Sequence, residues 1–171
     1  RNTGYALDAL LNVGFWGNEG PAFNFCKLLC GSEGTLAFIT EIKLHVEPLA
    51  PPFSVVLVPH FRSIADCLKA VPLSMSLAPV KCEMMDKLIL DCTKENKAQL
   101  QNRHFVEGDP AALLMVEFAA NSEAEAIFQA KQLTNLLRSH TIGYAFPVVP
   151  HGNTAAVWQL RAAGLGLLAN I

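Results

Sequence analysis

Apolar and polar positions fall into two regimes along the chain, separated by prolines. Up to position 48 the apolar residues come in short bursts among Gly and Asn. Residues 5–11 and 25–29 predict short helices. Residues 36–46 predict a strand with one wet face, because Ile42, Leu44 and Val46 alternate with Lys43 and His45. This stretch lacks a core of its own. Pro48, Pro51 and Pro52 then cluster in a composition that neither a helix nor a central strand tolerates, so the boundary falls there, between residues 1–48 and residues 49–171.

Beyond the boundary the periods become longer and more regular. Residues 53–58 predict an apolar strand. Ser63 caps a helix whose Ile64, Cys67, Leu68 and Val71 fall at i, i+3, i+4 and i+7 on one face. Residues 84–92 predict a second helix, followed by a solvated segment to position 103. Residues 111–118 form the clearest strand. Ser122 and Glu125 make a capping box for the longest helix, with Ala126, Ala130, Leu133 and Leu137 as its buried stripe. Gly143 ends that helix, and residues 144–149 return as a strand whose Pro147 requires an edge or a bulge. A last helix carries Val157, Leu160, Gly164, Leu167 and Leu168 as an apolar stripe. Two strand–helix–strand passes predict an α+β fold: a ferredoxin-like antiparallel sheet with helices on one face.

Composition changes this picture in one respect. The 171 residues are 51% hydrophobic and 16% charged, and the mean hydropathy is +0.30, which is apolar for a chain this short and implies surface normally covered by something else. The sequence opens on Arg1 and closes on Asn170-Ile171 without a polar tail. The expectation is a piece of a larger protein, whose first partner is the remainder of the same polypeptide. A net charge of −2 with 13 scattered basic residues gives no footprint for nucleic acid or an anionic membrane. Apolar runs such as 111–116 fall far short of the ~20 residues that cross a bilayer, so no transmembrane segment is expected. The cysteines, Cys26, Cys30, Cys67, Cys82 and Cys92, are odd in number and contain no CxxC pair. That excludes a full disulfide framework, supports no zinc or iron–sulfur site, and fits a reducing, cytoplasmic setting. No second histidine follows His151 at a useful spacing, so no metal is expected. His45, His60, His104 and His140 stand singly and read as surface or turn residues.

Two features carry candidate chemistry. Gly31-Ser32-Glu33-Gly34-Thr35 offers two positions free to take positive φ, which brings backbone N–H groups close to a bound group or simply makes a tight turn. Arg161 follows Val157 by four positions and so shares the apolar face of the last helix, beside Trp158. An arginine there needs an anion, either a substrate carboxylate or a structural Asp or Glu, and helix position alone favours the structural pair. Glu83 and Asp86 are three apart and would share a helix face, where a capping role outweighs a carboxylate dyad. No catalytic acid, base or nucleophile is assigned.

Arg1-Asn2-Thr3-Gly4-Tyr5-Ala6-Leu7, then Leu28-Leu29-Cys30-Gly31-Ser32-Glu33-Gly34-Thr35-Leu36-Ala37-Phe38-Ile39-Thr40, then Glu47-Pro48 together resemble the C-terminal stretch of a flavin-binding domain. The family is the FAD-linked oxidases of the vanillyl-alcohol oxidase type, which includes D-lactate dehydrogenases and the glycolate oxidase large subunit. Glu83-Met84-Met85-Asp86 and Trp158-Gln159-Leu160-Arg161 look like the Glu-x-Met-Asp and Trp-x-Leu-Arg strings of that family's cap domain. The resemblance implies that residues 1–48 are the end of an FAD-binding domain and residues 49–171 a truncated ferredoxin-like cap over the substrate. It implies FAD held mainly by an earlier glycine-rich loop, with Gly31, Ser32, Glu33, Gly34 and Thr35 adding backbone contacts and Ile39 a wall. Ala37 and Phe38 stand where the family commonly has Gly and Ile. It also reverses the preference at Arg161, which becomes the clamp for the carboxylate of a lactate- or glycolate-like D-2-hydroxy acid oxidised by hydride transfer to flavin. An iron–sulfur domain or subunit would then be a fitting electron acceptor, and through it the cytoplasmic protein would sit peripherally at the inner membrane. The chain alone would be inactive. The rival reading is a non-enzymatic ferredoxin-like module that binds a small ligand or oligomerises, with the glycine-rich segment a plain turn.

Overall fold

The structure is a computed structural model and describes residues 4–11, 13–14, 20–94 and 96–168. The chain divides into two units, Arg1–Pro48 and Leu49–Ile171. The first has little regular structure: a 3₁₀ turn at Leu7–Leu10, helix α1 at Cys26–Leu29, and a single parallel bridge between Gly14 and Ala22. Among its described residues only Ala6 and Ser32 are buried. The strand expected over residues 36–46 is absent. Those residues join no ladder, and with Phe38 93% and Leu44 80% exposed both sides of the segment are wet. Alternation specifies a strand only when a neighbour supplies the other half of its hydrogen bonds, and no described part of this unit does so.

The second unit contains β1 (Phe53–Leu57), β2 (His60–Phe61), α2 (Ile64–Met75), β3 (Lys81–Asp86), α3 (Lys87–Lys94), a 3₁₀ turn (Leu100–Arg103), β4 (Ala112–Ala120), α4 (Glu123–Ser139), β5 (Val148–Val149) and α5 (Thr154–Leu168). Every strand pairing is antiparallel. β4 lies between β1 with β2 on one side and β3 on the other, and β5 closes the far edge beside β1. Pro59 interrupts what would otherwise be one strand, since it has no N–H to give, but its carbonyl still accepts from Leu114 N at 3.1 Å. Pro147 sits at the edge as its chemistry requires, its carbonyl accepting from Val58 N at 2.9 Å.

β4 is apolar at nearly every position, and its side chains alternate between two cores. Ala112, Leu114, Val116, Phe118 and Ala120 join Val55, Leu57 and Phe61 beneath α2 and α4. Leu113 and Met115 join Val56, Val58, Met85 and Val149 beneath α3 and α5, which contribute Leu90, Val157 and Leu160. The helices therefore cover both faces, not one as the sequence suggested. A strand with two apolar faces leaves no side for water, so each face must find a cover.

The stripe of α4 is buried as expected, and Ser122 Oγ accepts from Glu125 N at 3.2 Å. On α2 the buried residues are Cys67, Ala70 and Ser74, whereas Ile64 and Leu68 are about half exposed. The small residues face inward because α2 packs against both the sheet and α4, where bulk would hold the elements apart. Residues 84–86 belong to β3, so the helix expected from 84 starts at Lys87, and Asp86 Oδ1 caps it by accepting from Ile89 N at 3.0 Å.

His60 is fully buried rather than at the surface. Its Nδ1–H donates to Val58 O at 2.7 Å, and Nε2 accepts from Glu107 N at 3.0 Å, an arrangement that defines the neutral ring. Burial holds its pKa below the ordinary value, against smaller opposing effects of the Val58 carbonyl and Glu107. The fold thus binds fewer protons here than the unfolded chain. This contribution to stability is complete above the unfolded value of about 6.5 and is lost as pH falls below it. Denaturant melts should weaken from pH 7 to pH 5.5, and His60→Gln should flatten that dependence; an unchanged slope would count against this role.

On α5, Val157 and Leu160 are fully buried and Gly164 follows on the same face; the side chains of Leu167 and Leu168 lie outside the described residues. A Cβ at Gly164 would meet Ile89 Cγ2 of α3 at 2.4 Å. In an open helix Gly→Ala gains up to ~1 kcal/mol, but here Gly164→Ala should cost about 1–2 kcal/mol through overpacking. The same substitution should cost less in an Ile89→Ala background, as measured by a double-mutant cycle in denaturant.

Candidate functional site

The outer flank of α5 meets the end of the β3–β4 ladder. Residues 81, 83 and 85 of β3 face α5 by strand alternation, as Met85 in that core demonstrates. Glu83 stands opposite Met115, and Lys81 opposite Glu117. Arg161 crosses to the strand, its Nε donating to Glu83 Oε2 at 2.5 Å. The two side chains remain 44% and 35% exposed, so the pair is reachable from solvent. Next to it Lys81 Nζ lies 2.8 Å from Glu117 Oε2 and 4.6 Å from the centroid of the Trp158 ring. Glu117 is buried beneath this lysine. Trp158 Nε1 is buried without a hydrogen-bond partner among the described residues.

Two carboxylates and two cations thus alternate along one band, each carboxylate matched to a cation. Arg161 takes the structural partner that its position favours, but only through Nε. Its two terminal nitrogens have no partner among the described residues. A guanidinium held by Nε can still present its outer pair of N–H groups to a planar anion. Sequence reading missed the contribution of Glu83, because the helix expected from residue 84 assigned Glu83 to capping. The alternation of Lys81, Glu83 and Met85 was the available signal.

The glycine-rich segment lies in the first unit. Gly31, Glu33 and Gly34 have φ of 97°, 51° and 76°. Thr35 closes the turn, with its N and Oγ1 both donating to Ser32 O at 2.9 and 2.6 Å, and Tyr5 Oη meets Thr35 Oγ1 at 2.6 Å. The Ser32 amide donates to Leu29 O at 3.1 Å, whereas those of Glu33 and Gly34 have no internal partner among the described residues. Ile39 is 51% exposed and, with Leu29, Ile42 and Leu44, lines an apolar hollow of about 310 Å³. Arg1, Asn2 and Thr3 of the motif lie outside the described residues. Among the described residues no three or more His, Cys, Asp or Glu side chains are grouped to hold a metal ion, and no helix is long and apolar enough to cross a membrane.

The family described as FAD linked oxidases, C-terminal domain, matches residues 50–170. The chain belongs to that family. Similar proteins include a D-2-hydroxyglutarate dehydrogenase of Pseudomonas putida, 27% identical over 177 residues, and one of Haemophilus influenzae, 28% identical over 183 residues. These alignments cover 99% and 98% of this chain but 17% of each relative. A D-lactate dehydrogenase of Anaerostipes hadrus is 33% identical over 106 residues, 60% of this chain and 22% of that protein. The chain therefore spans about a sixth of the length of the two hydroxyglutarate dehydrogenases. FAD is the cofactor of full-length FAD-linked oxidases, and the turn fits a contact with it: two amides without internal partners, and at Gly34 space where a Cβ would meet nothing within 4 Å.

Proposed function

We propose that the protein containing this chain is an FAD-dependent dehydrogenase of a D-2-hydroxy acid, to which residues 1–48 contribute the end of the flavin-binding domain and residues 49–171 part of a ferredoxin-like cap. The strand order β5, β1, β4, β3, with α2 and α4 as crossovers on one face, supports the ferredoxin-like reading. On this reading α3, the 3₁₀ turn and α5 are additions on the other face, and they bring the arginine.

The observation that carries the proposal is the geometry of Arg161: it is anchored by Nε, half exposed, and has its terminal nitrogens unengaged among the described residues. Such a fork binds a carboxylate in two parallel hydrogen bonds and fixes the orientation of the acid as well as its position. Bound FAD would supply the hydride acceptor for the hydrogen on the substrate's α-carbon. Glu33 and Gly34 would offer amides to the cofactor from the Gly31–Ser32–Glu33–Gly34–Thr35 turn, and Ile39 an apolar wall. The relatives' names point to 2-hydroxyglutarate and lactate as first substrates to try. An iron–sulfur domain or subunit would serve as electron acceptor, in a cytoplasmic or peripheral inner-membrane setting. The chain alone would be inactive for want of the rest of the flavin site.

In the full-length, FAD-loaded protein, Arg161→Met should raise KM for the hydroxy acid by about one to two orders of magnitude, the loss expected for a charged hydrogen-bonded pair, and Arg161→Lys should recover part of it. A KM for Arg161→Met within twofold of wild type would contradict the assignment.

A further inference from the structure

We infer that Glu83 is the positioning residue of the carboxylate site: it holds Arg161 by Nε so that the outer edge of the guanidinium stays turned to the substrate. This rests on the reading of Arg161 given above. A guanidinium has two edges that can grip a carboxylate, one made by Nε with a terminal nitrogen and one made by the two terminal nitrogens. Glu83 occupies the first at 2.5 Å. Only the end-on edge remains for an incoming acid.

Three observations separate this role from ordinary surface pairing. First, the pair is not local: Glu83 and Arg161 are 78 positions apart and join a strand to a helix. Second, the fold does not depend on it. Val157 and Leu160 are fully buried and Gly164 packs on Ile89, so α5 is seated without the ion pair, and a half-exposed pair adds little stability. Third, the neighbouring charges are already committed. Lys81, two positions along the same strand face, is held between Glu117 and the ring of Trp158, and so does not draw Glu83 away from Arg161. The backbone beneath Glu83 is fixed by ladder pairs on both sides of it, Cys82 with Val116 and Met84 with Leu114. A rigid strand thereby sets the direction of a long, flexible side chain before substrate arrives, which reduces the ordering cost of binding.

The test uses the full-length, FAD-loaded protein with D-2-hydroxyglutarate or D-lactate, whichever the wild type oxidises faster. It adds calorimetric binding of the corresponding 2-oxo acid, which reports affinity without turnover. Glu83→Ala should raise both KM and the 2-oxo acid Kd about tenfold while leaving the thermal midpoint nearly unchanged, and Glu83→Gln, which keeps an acceptor, should fall between. In an Arg161→Met background, Glu83→Ala should add nothing further, because its effect runs through the arginine. If Arg161→Met weakens binding but Glu83→Ala does not, or if the two effects simply add, Glu83 has no positioning role and the reading of Arg161 stands. If Arg161→Met leaves both constants unchanged, that reading falls and the role of Glu83 falls with it.

Discussion

The constraint on which the second unit depends is the two-sided burial of β4. Its residues alternate between two apolar cores and its backbone bonds on both edges, so the strand has no side left for water. Much follows from that. α2 and α4 must cover one face, α3 and α5 the other, and β3 must lie along the free edge in a fixed register. Slipping that register by one residue would turn Glu83 to the opposite face and exchange it with a neighbour of the first core. The same burial that stabilises the sheet therefore decides which polar side chains of β3 meet α5.

The polar band at the edge of the second core is a consequence of where the apolar stripe of α5 stops. Val157 and Leu160 lie fully inside, while Trp158 and Arg161 lie on the flank, where β3 and β4 offer Lys81, Glu83 and Glu117 in place of apolar residues. Of these charges only Glu117 is buried and needs its partner, which Lys81 supplies, whereas Glu83 and Arg161 pair while still partly exposed. The arginine is the charged member of the band with planar donor capacity remaining, which is why the proposed carboxylate site is placed there and not at the lysine.

Much of this was legible in the sequence, and the exceptions share a cause. The stripe of α4, the capping by Ser63 and Ser122, and the edge position of Pro147 are local matters of period and hydrogen bonding, and they read directly. The helix expected from residue 84 was overridden by β4, whose open edge needed a strand more than residues 84–86 needed a helical period. α2 turned its small residues inward because closeness to α4 outweighed bulk. Residues 36–46 have the alternation of a strand but no described neighbour to pair with. His60, a lone histidine in the sequence, can be buried because the Val58 carbonyl two positions away and the Glu107 amide from a distant loop satisfy its two ring nitrogens. The Gly31–Thr35 segment in the first unit and Arg161 in the second were each visible as motifs, whereas Glu83 emerged only once strand register set it beside the arginine.

The most direct measurement is anaerobic mixing of the full-length, FAD-loaded protein with a D-2-hydroxy acid, followed by flavin absorbance. The D-acid should bleach the flavin, its L-enantiomer should do so little, and the uncharged methyl ester, which gives the Arg161 fork no carboxylate to hold, should react at a rate at least about tenfold lower. Equal reduction by the ester, or no reduction by any 2-hydroxy acid, would contradict the proposed function.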